Sequence, residues 1–207
     1  MGNSNMGRAT ICDMRKIILD IETKNTFDEV GGRSDPTKLD LSMICTYDSE
    51  SDTYASYLEE DLPKLWPILE RADMLIGYNS DHFDIPILNK YYAGDITGIR
   101  SLDLMKKVQE VLGFRVKLDD IASATLGKGK IGNGLEAILW WRAGEVEKVR
   151  KYCLEDVRIT KEIYDYALQN SKLHYERRGK KTEVPIDTSD WERVRSESGA
   201  LNKTLPW

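Results

Sequence analysis

The sequence predicts an α/β fold: a mixed β-sheet covered by α-helices. Three observations predict it. Strand patterns come first in the chain and helical patterns later. The longest helical run comes last. No internal repeat or low-complexity linker divides the 207 residues, a length that suits one well-packed domain with a short appendage. The expected organisation is a loose leader over residues 1–14, a single domain over 15–170, and a C-terminal extension over 171–207 that can form a β-hairpin.

The elements follow in order. Lys16 to Ile21 is almost continuously apolar after its first residue and reads as a buried strand. Thr23 to Asp40, rich in Gly, Asp, Asn and Pro, reads as a long loop. Leu41–Asp48 and Thr53–Leu58 flank the turn residues Ser49-Glu50-Ser51-Asp52, which predicts a hairpin. Glu59 to Arg71 has helical periodicity, with Leu62, Leu65, Trp66 and Leu69 on one stripe and a break or kink expected at Pro67. Asp73 to Tyr78 is a second apolar strand, and Phe83 to Tyr92 a short helix with Pro86 in its first turn.

Further helices are predicted over Leu102–Leu112, Lys117–Leu126 and Leu135–Trp141, with a glycine- and lysine-rich loop over Gly127–Gly134. Glu145 to Leu168 is the longest helical run, carrying Val146, Val149, Cys153, Val157, Ile163 and Ala167 near one side. His174–Glu176 and Glu183–Ile186 are the expected arms of the hairpin, around the basic turn Arg177-Arg178-Gly179-Lys180-Lys181.

Composition narrows the class. Apolar residues make up 41% of the chain and charged ones 31%, as in a soluble globular protein. No apolar run approaches the roughly 20 residues that span a bilayer, and Met1 to Arg15 has no apolar core of a secretory signal, so a cytoplasmic protein is expected. Cys12, Cys45 and Cys153 have no metal-ligand spacing and read as reduced thiols. Two histidines argue against a histidine-rich zinc site. The net charge of −5 is uneven: residues 1–100 hold 10 basic and 18 acidic residues, and residues 101–207 hold 20 and 17. An acidic half suits a metal site, and a mildly basic half can face phosphates.

Three acidic motifs carry the chemistry. Asp20 and Glu22, two apart at the end of the first strand, point to one face. Side-by-side carboxylates repel, and a cation between them relieves the repulsion. Asn79-Ser80-Asp81-His82-Phe83-Asp84 directly follows an apolar strand and puts Asp84 near a helix start. Tyr152 and Asp156, four apart in the longest helix, project together. Taken singly, the three have plain readings: a solvated strand end, a helix cap, and a surface Tyr–Asp pair.

Together, and in this order, the motifs resemble the three exonuclease motifs of the DEDD superfamily in its tyrosine subtype. The resemblance runs from about residue 16 to 168. The histidine subtype would place a His one residue before Tyr152, where this chain has Lys151. Ser101–Met105 and Leu118–Lys130 are similar to the matching stretch of family-B polymerase proofreading domains. The chain, too short to hold a polymerase, is more similar to stand-alone ribonuclease H-like predicted exonucleases.

That resemblance implies a ribonuclease H-like fold and a 3′→5′ exonuclease that releases 5′-mononucleotides from a DNA or RNA strand with a free 3′ end. It implies two divalent cations, Mg²⁺ or Mn²⁺, about 3.5–4 Å apart. Asp20 would bridge them. Glu22 and Asp156 would hold the ion carrying the attacking water, and Asp84 would help hold the ion at the leaving 3′ oxygen. Tyr152 would orient that water. Its ordinary pKa of about 10 makes it a poor base at neutral pH.

Thr23, Asn79 and Phe83 sit where the family holds the terminal nucleotide, although a turn Asn and a core Phe are equally good readings. Lys117, Lys128, Lys130 and the basic turn are candidate backbone contacts. Trp140-Trp141 is either a stacking platform or core. Asp103 reads as a helix N-cap. A non-catalytic nucleic-acid-binding module on the same fold is the rival reading. Retention of all four carboxylates argues against it. A ribonuclease H-type endonuclease is disfavoured because its second acid normally lies far along the chain, not two residues on. Nothing in the sequence declares DNA or RNA, strand preference or oligomeric state.

Overall fold

The computed structural model describes residues 14–32, 35–128 and 134–193. Cys12, Lys130 and nearly all of the proposed leader therefore lie outside the described residues.

Five strands form one twisted sheet: β1 (Lys16–Thr23), β2 (Leu41–Asp48), β3 (Thr53–Leu58), β4 (Met74–Gly77) and β5 (Ser101–Asp103). Their spatial order is β3-β2-β1-β4-β5. β1 and β2, and β2 and β3, run antiparallel; β4 and β5 lie parallel to their neighbours. The sheet is thus mixed, with β2, β1 and β4 in the interior. All eight residues of β2 are buried.

Side-chain parity along β1 assigns the two faces. Ile17, Leu19 and Ile21 join the core beneath α1 (Leu62–Leu69) and α2 (Asp84–Asn89). Ile18 joins the opposite core, built with α3 (Leu104–Leu112), α4 (Leu118–Leu126) and α6 (Val146–Asn170). Asp20 and Glu22 share the parity of Ile18, so they emerge under α6. Helix α5 (Gly134–Arg142) packs beside α6 at that end of β1.

A separate hairpin, β6 (Lys172–Arg177) and β7 (Lys180–Pro185), follows α6. Its two-residue turn, Arg178-Gly179, has both φ angles positive (54° and 73°), which suits the right-handed twist of the arms. Leu173, Val184, Ile186 and Trp191 belong to the same core as α6. Trp191 stacks on Tyr164 at 5.5 Å, and Lys16 pairs with Glu192 at 2.5 Å.

Several expectations need correction. Residues 101–103 form strand β5, where a helix was expected to begin at Leu102, and α3 starts at Leu104 behind the N-cap Asp103. The helix expected over Glu59–Arg71 is a 3₁₀ turn, Glu59–Asp61, followed by α1. Pro67 lies inside α1 without ending it. The long loop over Thr23–Asp40 contains 3₁₀ turns at Asp28–Val30 and Pro36–Lys38, the second capped by Asp35. The hairpin arms are longer than expected, and the turn is shorter.

Candidate active site

Strand β1 delivers Asp20 and Glu22 from beneath α6, and α6 delivers Tyr152 and Asp156 from above. One ligand oxygen from each of Asp20, Glu22 and Asp156 lies within 4.8 Å of the other two. Two local features fix this approach. Cys153, fully buried between Tyr152 and the rest of its helical turn, donates its Sγ–H to the carbonyl of Asp20 at 3.3 Å. Tyr152 presents its ring edge to Trp140 of α5, with centroids 6.1 Å apart.

Asp84 reaches β1 from the turn after β4. β4 pairs with β1 only at Lys16–Ile18, so the Ile21 N–H projects beyond the end of β4. Asp84 Oδ1 accepts that N–H at 2.9 Å. Asp84 is not part of the 4.8 Å trio, but its charge acts on Asp20.

The turn that aims Asp84 is tightly built. A Cβ at Gly77 would stand 2.4 Å from the Cβ of Ser80, so only glycine lets the chain fold back there. Asn79 adopts a left-handed φ of 69°. Its N–H donates to Asp103 Oδ1 at 2.8 Å, while the same carboxylate caps α3 through Met105 N at 3.0 Å. Asp103 is therefore the expected cap and also an organiser of the Asn79–Asp84 turn.

Electrostatics mark the cluster as strained without a cation. Glu22, Asp84 and Asp156 are 7%, 3% and 7% exposed. Burial, then the charges of Asp156, Asp84 and Glu22, push the Asp20 carboxyl well above the usual carboxylate range. Burial raises Asp84 to about 7, against the opposing pull of the Ile21 N–H. Burial, then Asp156, Glu22 and Asp20, push the Tyr152 phenol far above its ordinary value, and its hydroxyl hydrogen-bonds Asp156. Asp20 Oδ2 is buried and finds no hydrogen-bond partner. An orphaned carboxylate oxygen facing further carboxylates is the donor set of a hard divalent cation, and the residues fit Mg²⁺ or Mn²⁺ on that ground.

A family model described as the RNase H superfamily matches residues 17–168, the span that carries all of these groups. The chain belongs to the RNase H superfamily. Two curated DNA polymerases are similar to this RNase H superfamily member. That of Thermococcus aggregans is 25% identical over 91% of this chain and 12% of the polymerase, and that of Thermococcus litoralis is 24% identical over 91% and 13%. The chain thus spans about an eighth of these relatives. The solved family B DNA polymerase of Pyrobaculum calidifontis shares the fold, with a TM-score of 0.58 and 19% identity over 75% of this chain and 24% of that one. Superfamily membership and the polymerase likeness support nuclease chemistry at the level of the family. Among the described residues, no helix is long and apolar enough to cross a membrane.

The other candidate residues divide. Thr23 is buried, and its hydroxyl donates to the Asn25 carbonyl at 3.0 Å. Phe83 is half-buried, with its ring 6.0 Å from Phe27. Asn79 lies on the turn that leads to Asp84, and its side-chain oxygen accepts from Arg115, which no sequence motif singles out. Lys128 is engaged elsewhere: its ammonium sits 2.6 Å from both oxygens of Glu162 on α6. Lys130 lies outside the described residues. Trp140 and Trp141 are both half-buried; Trp140 abuts Tyr152, and Lys24 lies over the ring of Trp141 at 5.9 Å.

Proposed function

We propose that this protein is a 3′→5′ exonuclease that removes 5′-mononucleotides from a nucleic-acid strand with a free 3′ end. One observation carries the reading: Asp20, Glu22 and Asp156, far apart in sequence, bring carboxylate oxygens within 4.8 Å of one another, and Asp20 keeps a buried oxygen with no partner. The likeness to DNA polymerases, at identities of 24–25%, supports a nucleic-acid substrate.

Asp20, Glu22 and Asp156 would hold one divalent cation, and Asp20 with Asp84 a second. Bound there, Mg²⁺ or Mn²⁺ supplies an activated water and neutralises charge on the leaving oxygen. The chain's own residues do the rest. Asp156 accepts the Tyr152 hydroxyl proton, and burial, then the surrounding carboxylates, keep the phenol protonated, so Tyr152 would orient the water through its oxygen as an acceptor and not act as a base. Asp103 and Arg115 hold the Asn79 turn that brings Asp84 to β1 and offers Asn79 and Phe83 to the terminal nucleotide. Two free buried thiols, Cys45 and Cys153, fit a reducing cytoplasm.

The test is Mg²⁺-dependent release of mononucleotides from a 3′-labelled strand, with a closed circular strand in parallel. Wild type is expected to digest the linear strand only, and Asp20→Ala neither. Undiminished digestion by Asp20→Ala, or cleavage of the circle, would refute the reading.

A further inference from the structure

We infer that the nucleic-acid strand reaches the active site along a basic path formed by the loop before α4 and one face of the C-terminal hairpin, which grips its phosphate backbone upstream of the reacting end. The inference rests on the exonuclease reading for the direction of the path, but not for the surface itself.

The path is continuous in named contacts. It starts at Asn79 on the active-site turn, whose side-chain oxygen accepts from Arg115. The loop carrying Arg115 is tied to the same turn a second time, because the Tyr78 hydroxyl donates to the Val116 carbonyl at 2.9 Å. Next to Arg115, Phe114 is 40% exposed and meets Tyr175 of β6 edge-on, with centroids 5.8 Å apart. From Tyr175 the hairpin runs out to its tip.

Parity selects which hairpin face matters. Residues two apart on a strand, and those opposite them in register, share a face. Leu173 and its partner Val184 are buried, Tyr175 lies opposite Thr182, and Arg177 lies opposite Lys180. That face leaves the core at Leu173, passes Phe114 and ends in two exposed cations. The tip's carboxylate, Glu176, lies opposite Lys181 on the other face, which also carries Glu183, paired to Lys172.

Cations elsewhere on the surface are in part neutralised by partners. Lys24, Lys106, Lys128 and Arg142 each hold a carboxylate within hydrogen-bonding distance. Among the described residues, none of Arg115, Lys117, Arg177 and Lys180 makes an ion pair, although the chain carries an excess of acid. Cations without an ion pair on a net-acidic protein, beside the exposed ring of Phe114, match a strand that offers phosphates and bases together.

The experiment is fluorescence anisotropy in EDTA, so that no hydrolysis occurs, with 5′-labelled single strands of about 5 and about 20 nucleotides. Wild type is expected to bind the long strand more tightly than the short one. The double variant Arg177→Ala/Lys180→Ala is expected to weaken long-strand binding about fivefold or more and to flatten its salt dependence by about one unit of log–log slope. Arg177→Lys/Lys180→Arg is expected to restore both, and Arg115→Ala to weaken binding in the same way from the loop side. Equal affinity and equal salt slope in Arg177→Ala/Lys180→Ala, with melting temperature preserved, would overturn the inference even if the protein digests DNA or RNA. Charge-dependent binding by a protein that hydrolyses neither would uphold the surface and sink the exonuclease reading instead.

Discussion

The thiol of Cys153 donates to the main-chain carbonyl of Asp20, and through that contact α6 is seated on β1 at the residue where the carboxylates converge. Cys153 lies one residue after Tyr152 and three before Asp156 on α6, buried against β1, so its volume bears on how closely both approach the sheet. Cys153→Leu is expected to overpack a fully buried position and cost about 1–3 kcal/mol of stability. It should also weaken Mg²⁺ affinity by lifting Asp156 away from Glu22. Calorimetric titration of Mg²⁺ together with thermal melting checks this. Unchanged metal affinity in a destabilised variant would show that the seating of α6 does not govern the site.

Asp20 is crowded by Asp156, Asp84 and Glu22 in a buried place, so its charge opposes folding when no cation is present. Asp20→Asn is therefore expected to raise the melting temperature of the metal-free protein while reducing mononucleotide release below detection. Activity and stability then move in opposite directions, which a merely structural carboxylate would not do. A lower melting temperature in EDTA for Asp20→Asn would contradict the assignment.

The pH dependence has a defined sign. Asp84 is raised to about 7 by burial, from an ordinary value near 3.8. The folded protein therefore binds this proton more tightly than the unfolded chain. The stability it contributes is complete below about pH 4 and is lost as pH rises toward 7. In EDTA, wild type is expected to lose melting temperature relative to Asp84→Asn across that window. Saturating Mg²⁺ should remove the difference, because the ion takes the proton's place. Parallel melting curves for the two proteins would count against a proton on Asp84.

Much of the site could be read from the sequence because its geometry follows short-range rules. Asp20 and Glu22 share a face through strand parity, and Tyr152 and Asp156 share one through the helical repeat. What could not be read depends on pairing over long separations. Arg115 meets Asn79 36 residues away, and Lys128 turns to Glu162 34 residues away, a choice no local pattern encodes. Strand β5 was hidden because it is three residues long and Leu102 falls in phase with the helix behind it. The signal that marks its end was nonetheless present: Asp103 stands where an N-cap belongs, and its side chain accepts from Met105 and Lys106.

Tyr152 touches Asp156 through its hydroxyl and Trp140 through its ring edge, so the two halves of its role can be separated. Tyr152→Phe keeps the ring contact and removes the donor. It is expected to lower kcat by about 10- to 100-fold, at the weak end of what a positioned proton-bearing group contributes, with little change in KM. Full activity in Tyr152→Phe would remove the residue from the mechanism.

Gly77 has no side chain to offer the site, yet the position of Asp84 depends on it. β4 ends at Gly77, and the chain must turn back within three residues to place Ser80 against it and start α2 at Asp84. A Cβ at Gly77 would stand 2.4 Å from Ser80 Cβ and 2.6 Å from its Oγ, and also crowd the Leu19 carbonyl at 3.4 Å. Ser80 Cβ is fixed to the backbone, so rotating a side chain cannot relieve the clash. Gly77→Ala is expected to cost about 1–3 kcal/mol and to reduce activity by pushing the turn, and Asp84 with it, away from Ile21 N. Ser80→Gly removes the two offending atoms, so the double variant Gly77→Ala/Ser80→Gly should recover most of both losses. The sign and size of the coupling can be read from a double-mutant cycle on melting and on mononucleotide release. Strict additivity of the two substitutions would mean that the close approach of Gly77 to Ser80 does not set the aim of Asp84.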